Sequence, residues 1–302
     1  MHDASHINVK PLLFAAAAAA TATAMAAWNG RRIGRGVTSE YLARFPVDAA
    51  GIANGAQGYV LPGTNGRGLL LLHGSGDSPH SMRYLATALN AAGYEVHVPL
   101  LPGHGRSPAA FANATASEYR AAVMSALADV VRRNSWTGVI GLSMGGALAA
   151  TAARESVGVN ALVLLAPYVV PTDQVRVTNR WSAFWSPLMP YVRGRGESSV
   201  HDPIAREESR AYGTFSRGAL AALVATADAG YRALGAIRVP TLVINSTQDN
   251  RIPRELATRA LNAITAPLEQ HWLEGCGHII TVDYCKDTVA QLVLTFLARH
   301  AG

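Results

Sequence analysis

The sequence predicts an α/β fold with a mostly parallel central sheet, helices on both faces and an inserted cap. Short runs rich in leucine and β-branched residues alternate along the chain with longer alanine-rich stretches. That alternation is typical of a parallel sheet covered by crossover helices. With 302 residues and a hydrophobic content of 49%, the chain has enough apolar material for one large core. One domain with an insertion therefore fits the length better than two independent domains.

The predicted strands and helices follow in chain order. Most of the strand candidates are too short and too apolar to be anything but central strands. The predicted strands are Gly68 to Leu72, Tyr94 to Pro99, Gly138 to Ile140, Ala161 to Leu165, Thr241 to Asn245 and Leu268 to Leu273. The predicted helices are Ser81 to Ala92, Ser117 to Arg133, Gly145 to Ser156, Arg254 to Ala263 and Asp283 to Arg299. Ser117 stands before Glu118 and is the predicted cap of its helix.

From Pro171 to about Tyr231 the alternation breaks into a segment with several proline and glycine residues. Open α/β sheets bind ligands at the carboxyl edge of their strands, so we expect this segment to form a cap over that edge. Its aromatic residues are candidates to bind the apolar part of a substrate, although sealing the cap against the main domain is an equal alternative. These residues are Trp181, Phe184, Trp185 and Tyr191.

Residues 1–36 predict a signal peptide or membrane anchor, followed by the main domain at 37–302. Residues 11–30 carry no charge and are rich in alanine. Ala24-Met25-Ala26 offers a cleavage pattern, whereas the arginines directly after the apolar stretch favour an anchor with a cytoplasmic C-terminus. We therefore expect a membrane-anchored or exported protein, with the side of the membrane left open. A helical or disordered alanine-rich extension is the alternative.

Charge and cysteine content limit what the chain binds. The net charge of +6 comes from scattered lysines and arginines, which argues against a nucleic-acid partner. Cys276 and Cys285 are too few for a disulfide framework and are not spaced as a metal site. We expect two buried free thiols. A bond between them is the alternative if the domain is exported.

The pentapeptide Gly141-Leu142-Ser143-Met144-Gly145 lies between a predicted strand and a predicted helix. In that context G-x-S-x-G forms a strained turn that presents the serine to a cleft, although a structural turn serine is the alternative. A serine hydroxyl needs a base and a supporting acid to act as a nucleophile. Asp249 and His278 each follow a predicted strand, in that order, so all three side chains should meet at one sheet edge. Ser143 is the predicted nucleophile, His278 the base and Asp249 the acid.

Two neighbouring positions complete the predicted site. Asp283 is a rival acid, but it follows His278 closely and is the predicted cap of the last helix. The negative oxygen of a tetrahedral intermediate needs backbone N–H donors, and we expect them from Met144 and Ser75. His73 precedes the glycine turn at Ser75 and is predicted to hold the loop rather than act as a base.

Several motifs in order resemble the bacterial carboxylesterase and monoacylglycerol lipase branch of the α/β hydrolases, which overlaps the serine aminopeptidase and lysophospholipase-like groups. The resemblance spans roughly residues 68–297. The motifs are Leu71-Leu72-His73-Gly74, Ser78-Pro79-His80-Ser81-Met82-Arg83, Leu101-Pro102-Gly103-His104-Gly105, Gly141-Leu142-Ser143-Met144-Gly145-Gly146 and Gly277-His278-Ile279-Ile280-Thr281-Val282-Asp283.

The resemblance implies the α/β-hydrolase fold, the triad and donors named above, and a reaction without metal or cofactor. It also implies that His104 is architectural. The chain departs from the family at Ser75, where a bulky residue often follows the His-Gly pair, so the acyl-side wall should be roomier or more polar. We expect a serine hydrolase of short- to medium-chain acyl esters or monoacylglycerols, with a small-molecule ester as its partner. The alternatives are a peptidase or amidase with the same triad and a catalytically silent, membrane-tethered binding protein.

Overall fold

The computed structural model describes residues 10–193 and 199–301. Its strands are β1 (Tyr59–Leu61), β2 (Arg67–Leu72), β3 (Glu95–Val98), β4 (Trp136–Leu142), β5 (Ala161–Leu165), β6 (Tyr191–Arg193), β7 (Thr214–Ser216), β8 (Thr241–Ser246) and β9 (Leu268–Leu273). Its helices are α1 (Lys10–Arg44), α2 (Arg83–Ala91), α3 (Pro108–Asn113), α4 (Ala116–Arg133), α5 (Met144–Glu155), α6 (Asp173–Arg180), α7 (Ser182–Trp185), α8 (Pro203–Glu208), α9 (Arg217–Leu234), α10 (Arg254–Asn262) and α11 (Lys286–His300).

The described strands form a seven-stranded sheet in the order β1-β3-β2-β4-β5-β8-β9. The pairings are parallel except that of β1, which lies antiparallel to β3 at one edge. The interior strands β4, β5 and β8 are buried along almost their whole length because helices cover both faces. The predicted α/β fold with a mostly parallel sheet is confirmed.

Two apolar layers hold the helices against the sheet. Helices α4, α5, α9 and α10 contribute to the layer on one face, and α2 and α11 contribute to the layer on the other. Helix α9 lies at the end of the predicted insertion, yet its Leu223 and Ala227 belong to the first layer. The part of the insertion outside that layer consists of α6, α7, α8 and the two-stranded sheet β6-β7. Residues 194–198 of the predicted cap lie outside the described residues.

The six predicted strands correspond to β2, β3, β4, β5, β8 and β9 within two residues at each end, whereas β1, β6 and β7 were not predicted. Two predicted helix starts are wrong. Helix α4 is capped by Thr115 rather than Ser117: the Thr115 hydroxyl accepts from the Glu118 N–H, and the Glu118 carboxylate accepts from the Thr115 N–H. The last helix begins at Lys286, and the Asp283 carboxylate does not cap it. In addition, the chain forms a short 3-10 turn at Pro79–Met82 before α2.

The N-terminal segment is helical from residue 10, and residues 1–9 of the predicted leader lie outside the described residues. Helix α1 ends in the folded domain, where Tyr41 and Phe45 are buried with Phe111 and Tyr212 in a small third cluster. Among the residues that the structure describes, no helix is both long and apolar enough to cross a membrane.

The two cysteines form a disulfide, so the expectation of two free thiols is wrong. Cys276 and Cys285 lie 5.8 Å apart between Cα atoms, within the distance that a disulfide spans. The chain between them folds back on itself, which the spacing alone does not reveal. The bond closes a short ring that contains His278.

Candidate active site

Ser143 lies in a sharp turn between β4 and α5. Its φ of 55° falls in the left-handed region, which is strained for a residue with a side chain. The flanking glycines permit the turn: a Cβ on Gly141 would lie 2.1 Å from the Gly145 carbonyl oxygen, and one on Gly145 would lie 2.2 Å from the Leu72 carbonyl oxygen. The sequence therefore places the serine at the carboxyl edge of the sheet and at the head of α5.

The structure brings Ser143, His278 and Asp249 into one hydrogen-bonded chain. His278 Nε2 lies 2.8 Å from Ser143 Oγ, and His278 Nδ1 lies 2.7 Å from Asp249 Oδ2. The side chains of His278 and Asp249 are only 5% and 3% exposed. With a proton on Nδ1 donated to the carboxylate, Nε2 is free to accept the serine proton, which is the arrangement that nucleophilic catalysis requires.

Asp249 is held in its ionised form. Burial acts to raise its pKa, but the charge and hydrogen bond of His278 and two backbone hydrogen bonds together bring the pKa below the usual value. Those bonds come from the N–H groups of Arg251 and Ile252, which donate to Oδ1 at 2.7 and 2.9 Å. One carboxylate oxygen thus fixes the loop, and the other faces the imidazole.

Asp283 is neither the acid that faces His278 nor a helix cap. Its fully buried carboxylate accepts four backbone hydrogen bonds of 2.8 to 2.9 Å. Oδ2 accepts from Gly277 and His201, and Oδ1 accepts from Tyr284 and Asp202. The carboxylate therefore joins the loop that carries His278 to the chain segment before α8. Sequence reasoning missed this role because the donors are backbone groups from a distant segment.

The two predicted oxyanion donors lie on either side of the nucleophile. Met144 is the first residue of α5, where helix N–H groups are unpaired and the helix dipole is positive. Ser75 follows Gly74, whose Cα packs so closely on Ser143 that an added Cβ would lie 3.4 Å from the serine Cβ. Both residues therefore lie next to Ser143, and their role as oxyanion donors stays a prediction.

Two buried histidines hold the loop around Ser75. His73 Nε2 accepts a hydrogen bond from the Leu101 N–H, and His104 Nε2 accepts one from the Gly76 N–H, both at 3.1 Å. Burial lowers the pKa of His104 to about 4 and that of His73 well below its usual value. Both rings are therefore neutral acceptors for backbone groups, and neither contacts the nucleophile.

Comparison with known proteins agrees with this geometry. A model of the family described as "Alpha/beta hydrolase family" matches residues 69–292. The chain belongs to this family. It is 29% identical over 237 residues to a thermostable monoacylglycerol lipase of Bacillus sp. (strain H-257), covering 78% of this chain and 92% of the relative. It is 25% identical over 243 residues to a carboxylesterase of Bacillus subtilis (strain 168), covering 77% and 93%.

A solved structure reported for the metagenome-derived lipolytic enzymes LipS and LipT has a TM-score of 0.75 and 28% identity to this hydrolase, and covers 82% of this chain and 100% of that chain. The predicted resemblance and the α/β-hydrolase fold are thereby confirmed.

The hydrogen-bonded chain of Ser143, His278 and Asp249 borders a cavity of about 1340 Å³ between the cap and the sheet edge. Ser143 and His278 are both part of its wall. Apolar side chains from α6, β6, β7, α8 and α9 line it. They include Val175, Val192, Ile204, Phe215, Leu220 and Leu223. Within the described residues, no group of His, Cys, Asp and Glu side chains is arranged to hold a metal ion.

Of the four cap aromatics predicted to bind substrate, only Trp185 lines the cavity. Trp181 and Phe184 are 53% and 74% exposed and do not line it, and Tyr191 packs against Gly34 of α1. Aromatic content does not reveal which face of a short helix meets a cavity. The residues of α9 that do line this cavity could have been found from its leucines, which lie one helical turn apart.

Proposed function

We propose that this hydrolase is a serine esterase that cleaves carboxylic esters, with short- to medium-chain acyl esters or monoacylglycerols as substrates. The observation that carries the proposal is the buried hydrogen-bonded chain from Asp249 through His278 to Ser143, which ends in a large, partly apolar cavity. The monoacylglycerol lipase and the carboxylesterase among its relatives support the same reaction class. The fold alone would not select a reaction.

The reaction proceeds in two acyl-transfer steps. His278 takes the Ser143 proton as the serine oxygen adds to the ester carbonyl, and the resulting oxyanion receives the N–H groups of Ser75 and Met144. His278 then gives its proton to the leaving alcohol, and an acyl-enzyme remains. In the second step His278 activates a water that releases the acid and restores the serine. Asp249 keeps the imidazole oriented and stabilises its charged form.

A fluorophosphonate probe tests the assignment. We expect the probe to label the wild-type protein at Ser143 and to abolish its turnover of p-nitrophenyl esters. Ser143→Ala should not react with the probe and should retain less than about a thousandth of the wild-type turnover, as is typical when a nucleophile is deleted. Faster turnover of amino-acyl amides than of acyl esters would favour the peptidase alternative. A catalytically silent binding protein would turn over neither substrate.

The acyl preference can be tested with a series of ester chain lengths and with substitutions of cap residues. Each methylene that enters an apolar cavity contributes about 0.8 kcal/mol, or roughly fourfold in kcat/KM, until the cavity is full. We expect kcat/KM to rise from C2 to medium-chain esters and then to level or fall. Trp185→Ala should change this profile, and Trp181→Ala is the matched control because its ring is exposed. A maximum at C2, or equal profiles for both variants, would show that Trp185 does not line the acyl site.

We propose in addition that the protein is exported or anchored with its domain in an oxidising compartment. The uncharged residues 11–30 support targeting to a membrane. The Cys276–Cys285 disulfide supports the oxidising side over a cytoplasmic domain, because disulfides persist where thiols are not kept reduced. Protease protection and thiol alkylation in intact cells test this: a domain that is protected inside the cell and carries two free thiols would contradict it.

A further inference from the structure

Asp77 is a buried carboxyl group in the cavity wall that the triad does not use. It follows Ser75 by two residues in the loop after β2 and is only 8% exposed. Its Oδ1 accepts a hydrogen bond of 2.7 Å from the Ser78 N–H. Its Oδ2 is buried, and no group of the described residues donates to it. The Ser81 hydroxyl donates to the Ser78 carbonyl oxygen, and it also lies close enough to the Asp77 carboxyl to act to lower its pKa.

A second polar atom without a partner lies in the same loop. The Ser75 hydroxyl is buried and lines the same cavity, and no described residue forms a hydrogen bond with it. Buried polar atoms are paired in most proteins because an unpaired one destabilises the fold. Two such atoms in the wall of a substrate cavity indicate that a polar group of a ligand completes their hydrogen bonding.

The charges of the cavity wall indicate which kind of polar group the ligand carries. Basic side chains outnumber acidic ones there, and their positive charge opposes a cationic ligand. The basic ones are Arg44, Arg83, Arg206, Arg251 and Lys286, and the acidic ones are Asp77, Asp202 and Glu208. Burial raises the pKa of the Asp77 carboxyl to about 6, so at neutral and higher pH the group is a carboxylate that can accept a hydrogen bond from a ligand. An uncharged donor, a hydroxyl, suits this environment better than an ammonium group.

We propose that Asp77 is a specificity-determining residue that accepts a hydrogen bond from a free hydroxyl of the substrate alcohol, so that the enzyme prefers esters of polyols such as glycerol to esters of simple alcohols. The inference rests on the proposed esterase function. The acyl chain of a simple lipid ester carries no hydroxyl, so the donor belongs to the alcohol. Ser75 offers a second partner to an alcohol that has two hydroxyls.

The test compares two esters with the same acyl chain, 1-monooctanoylglycerol and ethyl octanoate. We expect the wild-type enzyme to favour the glycerol ester. Asp77→Ala should lower the ratio of the two kcat/KM values about tenfold or more, the usual effect of losing a hydrogen bond to a charged group. Asp77→Asn should also lower the ratio, because its one amide oxygen stays with the Ser78 N–H and an NH₂ group replaces the accepting Oδ2. Glu208→Gln, another carboxyl of the cavity wall, is the matched control and should leave the ratio unchanged.

Each outcome decides the proposal. An equal fall in kcat/KM for both esters in Asp77→Ala would assign the residue a structural role and overturn it. If Asp77→Ala lowered kcat/KM only for amino-acyl esters, the partner of Asp77 would be an ammonium group. That result would also overturn the proposal. If Asp77→Ala does not fold, two other variants provide the same comparison. The ratio of the two kcat/KM values can be measured in Asp77→Leu, and inhibition by 1-O-octylglycerol can be measured in Asp77→Asn. A wild-type protein that hydrolyses neither ester would instead refute the esterase function itself.

Discussion

Asp283 and Asp249 are two buried aspartates beside the catalytic histidine, and replacing each by asparagine should have opposite consequences. Asp283→Asn should destabilise the fold, and Asp249→Asn should lower turnover strongly with little loss of stability. The reason lies in which hydrogen bonds each carboxylate oxygen accepts. Asparagine keeps one acceptor oxygen and replaces the other with a donor, so the outcome depends on whether both oxygens face N–H groups.

In Asp283 both oxygens face two backbone N–H groups each. An amide NH₂ in place of either oxygen leaves two donors without partners and directs a donor against them. A buried unpaired donor costs about 1 to 3 kcal/mol, and most of these donors are only partly buried, so the expected loss is about 2 to 4 kcal/mol. That loss is a large part of a typical unfolding free energy of about 5 to 15 kcal/mol.

The pH dependence provides a second check on Asp283. Burial acts to raise its pKa, but hydrogen bonds from four backbone N–H groups hold the pKa below the usual value. A carboxyl group with a lowered pKa in the folded state stabilises the protein above its unfolded pKa of about 4, and this contribution is lost as the pH falls through the folded value. The difference in stability between wild type and Asp283→Asn should therefore shrink in acid.

In Asp249 only one oxygen accepts from the backbone, and an amide oxygen can keep those two bonds. The NH₂ group then faces His278 Nδ1 and forces the ring proton onto Nε2, which can no longer accept the Ser143 proton. By analogy with supporting acids of other triads, turnover should fall on the order of a hundredfold or more.

Urea unfolding and kcat/KM for a p-nitrophenyl ester, measured on both variants, separate the two effects. Each variant serves as the control for the other, because the substitution is the same and both sites are buried. A stable but inactive Asp283→Asn together with an active Asp249→Asn would transfer the role of supporting acid to Asp283 and refute the reasoning.

Three further predictions concern the disulfide, the cavity carboxyl and the N-terminus. Replacing Cys276 and Cys285 by alanine should lower the unfolding free energy by about 2.5 kcal/mol, since the bond closes a ring of sequence separation 9, and an unchanged urea midpoint would contradict this. The pKa of Asp77 is raised to about 6 in the folded state, so its contribution to stability is full below its unfolded value and is lost as the pH rises through 6. Asp77→Asn should thus be more stable than wild type by up to about 3 kcal/mol at pH 8 but not at pH 4, as measured by urea unfolding. Removal of residues 1–36 should leave a soluble, active enzyme because Tyr41 and Phe45 remain in place, and activity confined to the detergent-extracted full-length protein would show otherwise.

The central strands, and the meeting of Ser143, Asp249 and His278, could be predicted because each follows from a strong local constraint. A buried parallel strand is a short apolar run, and a nucleophile, an acid and a base of this kind must follow such runs at one sheet edge. The disulfide could not be predicted, because it depends on how the chain folds between Cys276 and Cys285. The contact of Trp185 with the cavity, and the exposure of Trp181 and Phe184, depend on the rotation of a one-turn helix, which aromatic content does not specify.

The role of Asp283 shows why the cap and the catalytic histidine are best understood as one unit. The carboxylate accepts from Gly277, next to His278, and from His201 and Asp202, in the cap segment directly before α8. A further bond joins the N–H of Ile279 to the Ser199 carbonyl oxygen. Helices α6 and α8 have no buried residue and α7 has only Ser182, so the bonds to the histidine loop are among the contacts that hold the cap in position. The loop that carries His278 is therefore also an anchor for the cap above the cavity.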